Sequence, residues 1–162
     1  MKRLTTLCLA GLTALVLALP AGAATNFKHA KAGVQLDVPD NWKASAGEGD
    51  VLNLKAEDEG INISVWAVDA ADLDKAVEAL DEELGKVLKD VKQDGKAEPI
   101  KVNDLQGSQA SGSATVDGHE VQWAVAVIMA DHPVIVMGFG NKDSIKAHHD
   151  EIQAIFQSIR RL

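Results

Sequence analysis

The stretch from Val116 to Met129, VDGHEVQWAVAVIM, carries the clearest structural signal in the chain. Asp117-Gly118 is typical of a two-residue β-hairpin turn, because both residues adopt positive φ angles at little cost. In the strand that follows, every second residue from Val121 to Met129 is apolar, Trp123 among them. The intervening residues are apolar too from Ala124 onward, so both faces of the strand are expected to be covered. The stretch therefore predicts a long strand inside a sheet, with Trp123 in the core.

Shorter runs of alternating apolar and polar residues predict strands on both sides of this hairpin. Val34 to Val38 is one such run, and it ends at Pro39, which cannot donate to a β-ladder. Asp58-Glu59-Gly60 is a turn between two further runs, which together predict a second hairpin. Residues 44–50 are expected to form a surface loop, whereas the segment 105–116, rich in small residues, is either linker-like or extended. The runs that flank the turn at 58–60 are 52–56 and 61–67, and two more runs are 100–102 and 134–139.

Apolar residues spaced by three and four positions predict two helices. The first covers about five turns from Asp69, with an apolar stripe that continues to Val91 and a stop at Gly95. The second closes the chain and is capped by Asp143 or Ser144. Hairpin links between neighbouring strands then predict an α+β fold, in which helices pack on the faces of a mainly antiparallel sheet.

The first two dozen residues have the composition of a secretory signal peptide. Lys2 and Arg3 form a short basic region, and the run from Leu7 to Leu19 is apolar and uncharged. Pro20 then breaks any helix, and the small residues at 21–23 are those that a signal peptidase requires. The apolar run is shorter than the roughly 20 residues that span a bilayer, which disfavours the alternative of a retained membrane anchor.

We therefore expect residues 1–24 to be a signal peptide, cut after Ala23 or Ala24, and residues 25–162 to form a single domain in the periplasm. Cleavage removes the single cysteine, Cys8, and two of the 16 basic residues, which leaves 14 against 24 acidic ones. A mature chain without cysteine has no disulfide, thiol nucleophile or iron–sulfur cluster. Its acidic balance argues against nucleic acid and anionic membrane surfaces as partners.

Several catalytic motifs are missing from the sequence. Neither Ser108 nor Ser111 has the flanking glycines of a nucleophile elbow. Gly138-Phe-Gly140 lacks the third glycine of a dinucleotide-binding loop. We therefore assign no catalytic residue and expect no cofactor.

His148 and Glu151 are candidate ligands for a divalent metal, because residues three apart share a helical face. His149 points about 100° away from His148, so this set stops at two ligands, and the alternative is a solvated helix surface. Asp69, Asp72 and Asp74 at the start of the first helix raise the same question for calcium, together with Glu57-Asp58-Glu59 in the preceding turn. There the EF-hand spacing is missing, and attraction to the helix dipole accounts for the acidic residues.

Two tryptophans are candidates for a binding surface. Trp42 begins a loop that contains two glycines, and Trp66 lies on the polar face of its strand, beside Asn62 and Ser64. An exposed indole ring in such a position suits a ligand-binding lip. The alternative is that both rings pack in the interior, as large aromatic side chains usually do.

The segment 34–42, a strand followed by Pro and then Trp, resembles the opening of PsbP/Mog1-like domains. Leu105-Gln-Gly107, the Asp117-Gly118 hairpin and the closing helix at 151–159 occur in the same order as in that family. The resemblance implies an α/β/α sandwich around an antiparallel sheet. It also implies a non-enzymatic accessory or binding role, which is what most known members have.

Two classes of function remain after these exclusions. The first is a non-enzymatic periplasmic binding or accessory protein, monomeric, whose partner is another envelope protein or a small ligand. The second is a periplasmic hydrolase that draws acid and base groups from scattered Asp, Glu and His residues, or a weak divalent-metal-binding protein. A groove or a free sheet surface favours the first class, whereas convergent His and carboxylate side chains favour the second.

Overall fold

Antiparallel strands and short helices form the fold in the computed structural model, which describes residues 23–69 and 73–162. The predicted signal peptide up to residue 22 lies outside the described residues, and its cleavage stays a prediction. The strands are β1 (Ala24–His29), β2 (Val34–Pro39), β3 (Lys43–Ala46), β4 (Leu52–Lys55), β5 (Ile61–Ala67), β6 (Lys89–Gln93), β7 (Glu98–Val102), β8 (Leu105–Val116), β9 (His119–Met129), β10 (Pro133–Gly140) and β11 (Arg160–Arg161). The helices are α1 (Leu73–Val87), α2 (Lys142–Ala147) and α3 (His149–Gln157).

The larger sheet has eight strands in the order β3-β4-β5-β10-β9-β8-β6, and β7 pairs with β8 beside β6. Its neighbouring strands pair antiparallel. The hairpin predicted at Asp117-Gly118 is confirmed, since Val116 pairs with His119 and the two turn residues have φ angles of 50° and 83°. The second predicted hairpin is confirmed as β4 and β5.

The smaller sheet, in the order β1-β2-β11, covers part of one face of the large sheet together with α3. The end of the chain is fastened to β2, because Arg160 donates to both carboxylate oxygens of Asp37. Asn103, in the turn after β7, donates to the carbonyls of Gln157 and Ile159 and so satisfies the end of α3.

Strand β9 separates two apolar clusters, as the sequence predicted. Ala126 and Ile128 belong to the cluster under the small sheet and α3. Trp123, Val125 and Val127 belong to the other cluster, which includes three leucines, Leu80, Leu84 and Leu88, from α1 and the residue that follows it. Helices therefore lie on both faces of an antiparallel sheet, and the α+β fold class is confirmed.

The first helix is shorter than its apolar stripe predicted. It ends at Val87, and the next residues form β6, in which Val91 is 46% exposed. β6 pairs with the open edge of β8, and its register shifts between Lys89 and Lys92, where Asp90 has a φ angle of +49°. The backbone N–H and C=O groups on the open edge of β8 gain partners when residues 89–93 form a strand beside them. Another turn of α1 would leave that edge of β8 without this strand.

Three other predictions about the elements need correction. The expected loop at 44–50 contains β3 and a short 3-10 helix, Glu48–Asp50. The segment 105–116 is extended along its whole length as β8, so the linker-like alternative is wrong. The closing helix is divided into α2 and α3, and its cap is Asn141, whose side chain accepts from the backbone N–H of Ser144 at 2.8 Å.

Candidate functional site

Helices α2 and α3 meet at His148, which ends the first and precedes the second. Its backbone angles, φ −102° and ψ 15°, depart from helical values and turn the chain. The imidazole Nδ1 lies 2.7 Å from Oε2 of Glu151, one turn into α3. The i, i+3 relation predicted for these two residues is therefore present, although the pair straddles a helix junction.

Glu151 also receives hydrogen bonds from the loop between β2 and β3. The indole N–H of Trp42 donates to Oε2 at 2.7 Å, and the side-chain amide of Asn41 donates to Oε1 at 3.0 Å. The Trp42 ring meets the His148 imidazole edge-on, with centroids 6.0 Å apart and an interplanar angle of 82°. One carboxylate thus connects α3, the α2–α3 junction and a loop more than a hundred residues earlier in the chain.

Asp58, in the turn between β4 and β5, lies on the other side of the imidazole. Its Oδ2 is 3.6 Å from Nε2 of His148 and accepts from the Ser144 hydroxyl at 2.8 Å. Its Oδ1 accepts from the backbone N–H of Gly60 at 2.9 Å. His148 therefore stands between two carboxylates that come from different elements. We call Trp42, Asp58, His148 and Glu151 the His148 cluster.

Hydrogen bonding favours the charged forms within the His148 cluster. The hydrogen bond to Glu151 is the main reason that the pKa of His148 is raised above its ordinary value. The backbone N–H of Gly60 is the main cause of the lowered pKa of Asp58. Burial raises the pKa of Glu151, but the hydrogen bonds from Trp42 and His148 outweigh it, and the net effect is a lowered pKa. An imidazolium between two carboxylates is therefore favoured at mildly acidic pH.

The His148 cluster lacks the geometry of a nucleophile activated by a base. The Ser144 side chain is buried, and its hydroxyl donates to Asp58. Among the contacts described, none joins that hydroxyl to His148, as a Ser–His pair requires. The contacts of the His148 cluster connect α2 and α3 to the β2–β3 loop and the β4–β5 turn.

A metal site does not form from these residues either. The two nitrogens of His148 face different carboxylates, so Asp58 and Glu151 do not converge on one point. Within residues 23–69 and 73–162, no group of three or more His, Cys, Asp or Glu side chains is placed to hold a metal ion. Asp69 pairs with Lys31 at 3.1 Å, and Asp72 lies outside the described residues.

The structure gives the two candidate tryptophans different surroundings. Trp42 is 5% exposed and belongs to the core cluster under α3, so it does not form an exposed lip. The attraction of its N–H to Glu151, which the sequence did not reveal, holds the ring inward. Trp66 is half-buried and packs against the cluster beneath α1, which leaves part of its ring open to solvent. Of the pair, Trp66 alone keeps an accessible aromatic surface.

A groove crosses the face of the large sheet that α2 and α3 cover only in part. Its floor includes Ser111, Ala124 and Gly138, which are neighbours in register on β8, β9 and β10. Small side chains in one row leave a trough between taller neighbours, and its volume is about 460 Å³. Ala124 is exposed although it lies in the middle of the sheet. We call this trough the sheet groove.

The two walls of the sheet groove differ in chemistry. The helix side is apolar and consists of Ile145 from α2 with Ile152 and Phe156 from α3. The other side is formed by the β6–β7 turn and the first residue of β7, and its lining residues are charged: Asp94, Lys96 and Glu98. Gln109 and Gln122 border the floor, and Gln153 of α3 adds one polar group to the helix side. A concave apolar surface with a few polar groups is the usual character of a ligand site.

Solved structures with the same fold include cyanobacterial PsbP (CyanoP) from Synechocystis sp. PCC 6803. That structure matches with a TM-score of 0.61 at 10% identity, over 90% of this chain and 96% of CyanoP. LpqN, involved in cell envelope biogenesis of Mycobacterium tuberculosis, matches with a TM-score of 0.54 at 16% identity, over 85% of this chain and 89% of LpqN. No protein-family model matches the chain, and no curated protein matches it in sequence. The chain therefore has a PsbP-like fold, as the sequence resemblance implied.

None of the helices within the described residues combines the length and the apolar character that a bilayer crossing requires.

Proposed function

We propose that this protein is an exported binding or accessory protein that holds an apolar ligand, or an apolar segment of an envelope partner, in the sheet groove. The observation that carries the proposal is the groove itself, with Ala124 exposed on its floor and Ile152 and Phe156 on its wall. Its volume of about 460 Å³ lies within the range of roughly 300–1,000 Å³ that small-molecule sites occupy. The function requires no covalent step.

Charge restricts the kind of occupant that we propose. The β6–β7 turn and the start of β7 present two carboxylates and one ammonium group to the groove, from Asp94, Glu98 and Lys96. The whole chain carries a formal net charge of −8. An anionic ligand is repelled by this field, whereas a neutral or positively charged one is not. The proposed occupant is therefore an apolar group with a neutral or cationic end.

Export to the periplasm is part of the proposal. It rests on the amino-terminal composition, and a place in the cell envelope is consistent with the fold shared with LpqN, which is involved in envelope biogenesis. Cell fractionation followed by sequencing of the amino terminus tests it, because a protein that is recovered outside the periplasm and still begins at Met1 would contradict export.

The first experiment is a titration of ¹⁵N-labelled protein with N-phenyl-1-naphthylamine, a neutral apolar probe. We expect the largest amide shifts at the groove, at Ser111, Ala124, Gly138 and Ile152, because these residues border the trough. The amides of the β8–β9 turn at Asp117-Gly118, which lies outside the groove lining, serve as the internal control. Shifts confined to residues near Trp66, on the opposite face, would transfer the binding site to that surface.

A further inference from the structure

The apolar wall of the sheet groove and the His148 cluster are carried by the same short helices. Ile145 precedes His148 by three residues in α2, and Ile152 directly follows Glu151 in α3. Both isoleucines border the groove, while His148 and Glu151 hold the helix junction against Trp42 and Asp58. The junction and the apolar wall are therefore separated by no more than about one turn of helix.

We propose that His148 is a pH-sensitive latch that fixes the apolar wall of the sheet groove while its imidazole is protonated. The proposal rests on the function proposed above, since it concerns regulation of the same groove. A protonated imidazole attracts Asp58 on one side and Glu151 on the other, so α2, α3 and the β4–β5 turn are held together. Loss of the proton leaves the two carboxylates without the cation between them.

The charged groups that contact His148 come from two of the elements packed around it, since the β2–β3 loop meets the imidazole through the uncharged Trp42 ring. Asp58 faces it from the β4–β5 turn, and Glu151 faces it from α3. The nearby cation Lys43 pairs with Glu59 at 3.2 Å, and both side chains are about two-thirds exposed. The other titratable groups on α2 and α3 are exposed: Lys142, Asp143, Lys146, His149 and Asp150. Attraction between His148 and the two carboxylates is therefore the main electrostatic link at this junction.

The direction of the pH effect follows from the pKa shifts of His148, Asp58 and Glu151. His148 has a pKa raised above 6.5, so its contribution to holding the wall is complete below that pH and is lost as the pH rises through the higher pKa. Asp58 and Glu151 have pKa values lowered below 3.8 and 4.5, so their contribution is present above those values and is lost in stronger acid. The latch is thus closed between the lowered pKa values of the two carboxylates and the raised pKa of His148, and it opens as the pH rises through the pKa of His148.

The test compares the wild type with His148→Gln and with His149→Gln. Glutamine at position 148 keeps a hydrogen-bond donor for Glu151 but carries no charge at any pH. His149 is the matched control, because it lies next in sequence and its side chain is 64% exposed. The methyl signals of Ile145 and Ile152 and the indole N–H of Trp42 are followed by NMR from about pH 5 to about pH 9.

In the wild type and in His149→Gln, we expect these signals to shift together, with a midpoint above 6.5. In His148→Gln the shared transition should be absent. Signals of Ile145 and Ile152 that keep the transition in His148→Gln, or that show none in the wild type, would overturn the latch. Because this measurement needs no bound ligand, its outcome is independent of whether the groove binds one.

A second measurement connects the latch to binding. We expect N-phenyl-1-naphthylamine to bind the wild type about fivefold more weakly at pH 8.5 than at pH 5.5, a ratio at the low end of known couplings between sites. A wall held in place loses less freedom on binding, so the closed latch favours the bound state. His148→Gln should show one affinity at both pH values. Absence of probe binding at every pH, with the NMR transition intact, would reject the proposed function and leave the latch standing.

Discussion

Replacement of Trp123 by alanine should lower the free energy of unfolding by about 3–5 kcal/mol, the range for Trp removal from a packed core. The ring is 5% exposed within the cluster beneath α1, and its N–H donates to the Ser113 carbonyl at 3.1 Å. The loss is a large share of the roughly 5–15 kcal/mol available to a domain. Urea denaturation at equilibrium, with the m-value checked against the wild type, measures it.

Trp66→Ala is the matched control for this substitution. The same ring type is removed from the same cluster, but Trp66 is half-buried, so the expected cost is about 1–2 kcal/mol. The two variants separate a core ring from a partly accessible one. Equal losses in the two variants would mean that Trp66 is as fully packed as Trp123, and the accessible surface assigned to it would have to be withdrawn.

Replacement of Trp42 by alanine should also cost about 3–5 kcal/mol, because a buried ring leaves the core cluster under α3. Glu151 loses the donor at 2.7 Å that helps to lower its pKa, and His148 loses the ring that it meets edge-on. Equilibrium unfolding at about pH 6, which lies below the raised pKa of His148 and above the lowered pKa values of Asp58 and Glu151, measures the change.

Trp42→Phe distinguishes packing from hydrogen bonding at this position. Phenylalanine keeps most of the ring but has no N–H, so the expected cost is about 1 kcal/mol. A Trp42→Phe variant as unstable as Trp42→Ala would assign most of the effect to the bond with Glu151. A Trp42→Ala variant as stable as the wild type would contradict the burial of Trp42.

Local signals in the sequence determine the hairpin turns and the positions at which strands end. Asp117-Gly118 specifies a reversal through its φ angles alone, and Pro39 ends β2 because it has no N–H to donate. These effects involve only adjacent residues, so they can be predicted without knowledge of the rest of the fold. The apolar alternation around Trp123 likewise predicts a strand covered on both faces, and both clusters are present.

Elements that depend on distant partners were not predictable in the same way. The apolar stripe of α1 continues past Val87, but residues 89–93 pair with the open edge of β8 and form β6. The break at His148 is contacted by Asp58 and by Trp42, whose N–H donates to Glu151, 109 residues later in the chain. Nothing in the local pattern of 141–159 indicates those contacts.

The candidate site was predicted in part. The pairing of His148 with Glu151 was expected from their spacing, but its role was unclear because neither Asp58 nor Trp42 was placed beside them. The sheet groove was missed altogether. Its floor depends on the registers of β8, β9 and β10, which bring Ser111, Ala124 and Gly138 into one row.

The most direct test of the sheet groove as a binding site compares Ala124→Trp with Ala154→Trp. Ala124 is exposed on the groove floor, so a tryptophan there fills the trough, whereas Ala154 is exposed on α3 outside the groove lining. The affinity for N-phenyl-1-naphthylamine is measured by calorimetry. We expect Ala124→Trp to weaken binding by about tenfold or more, a loss of at least about 1.4 kcal/mol, while Ala154→Trp binds like the wild type. Undiminished binding by a folded Ala124→Trp variant would contradict the groove as the site.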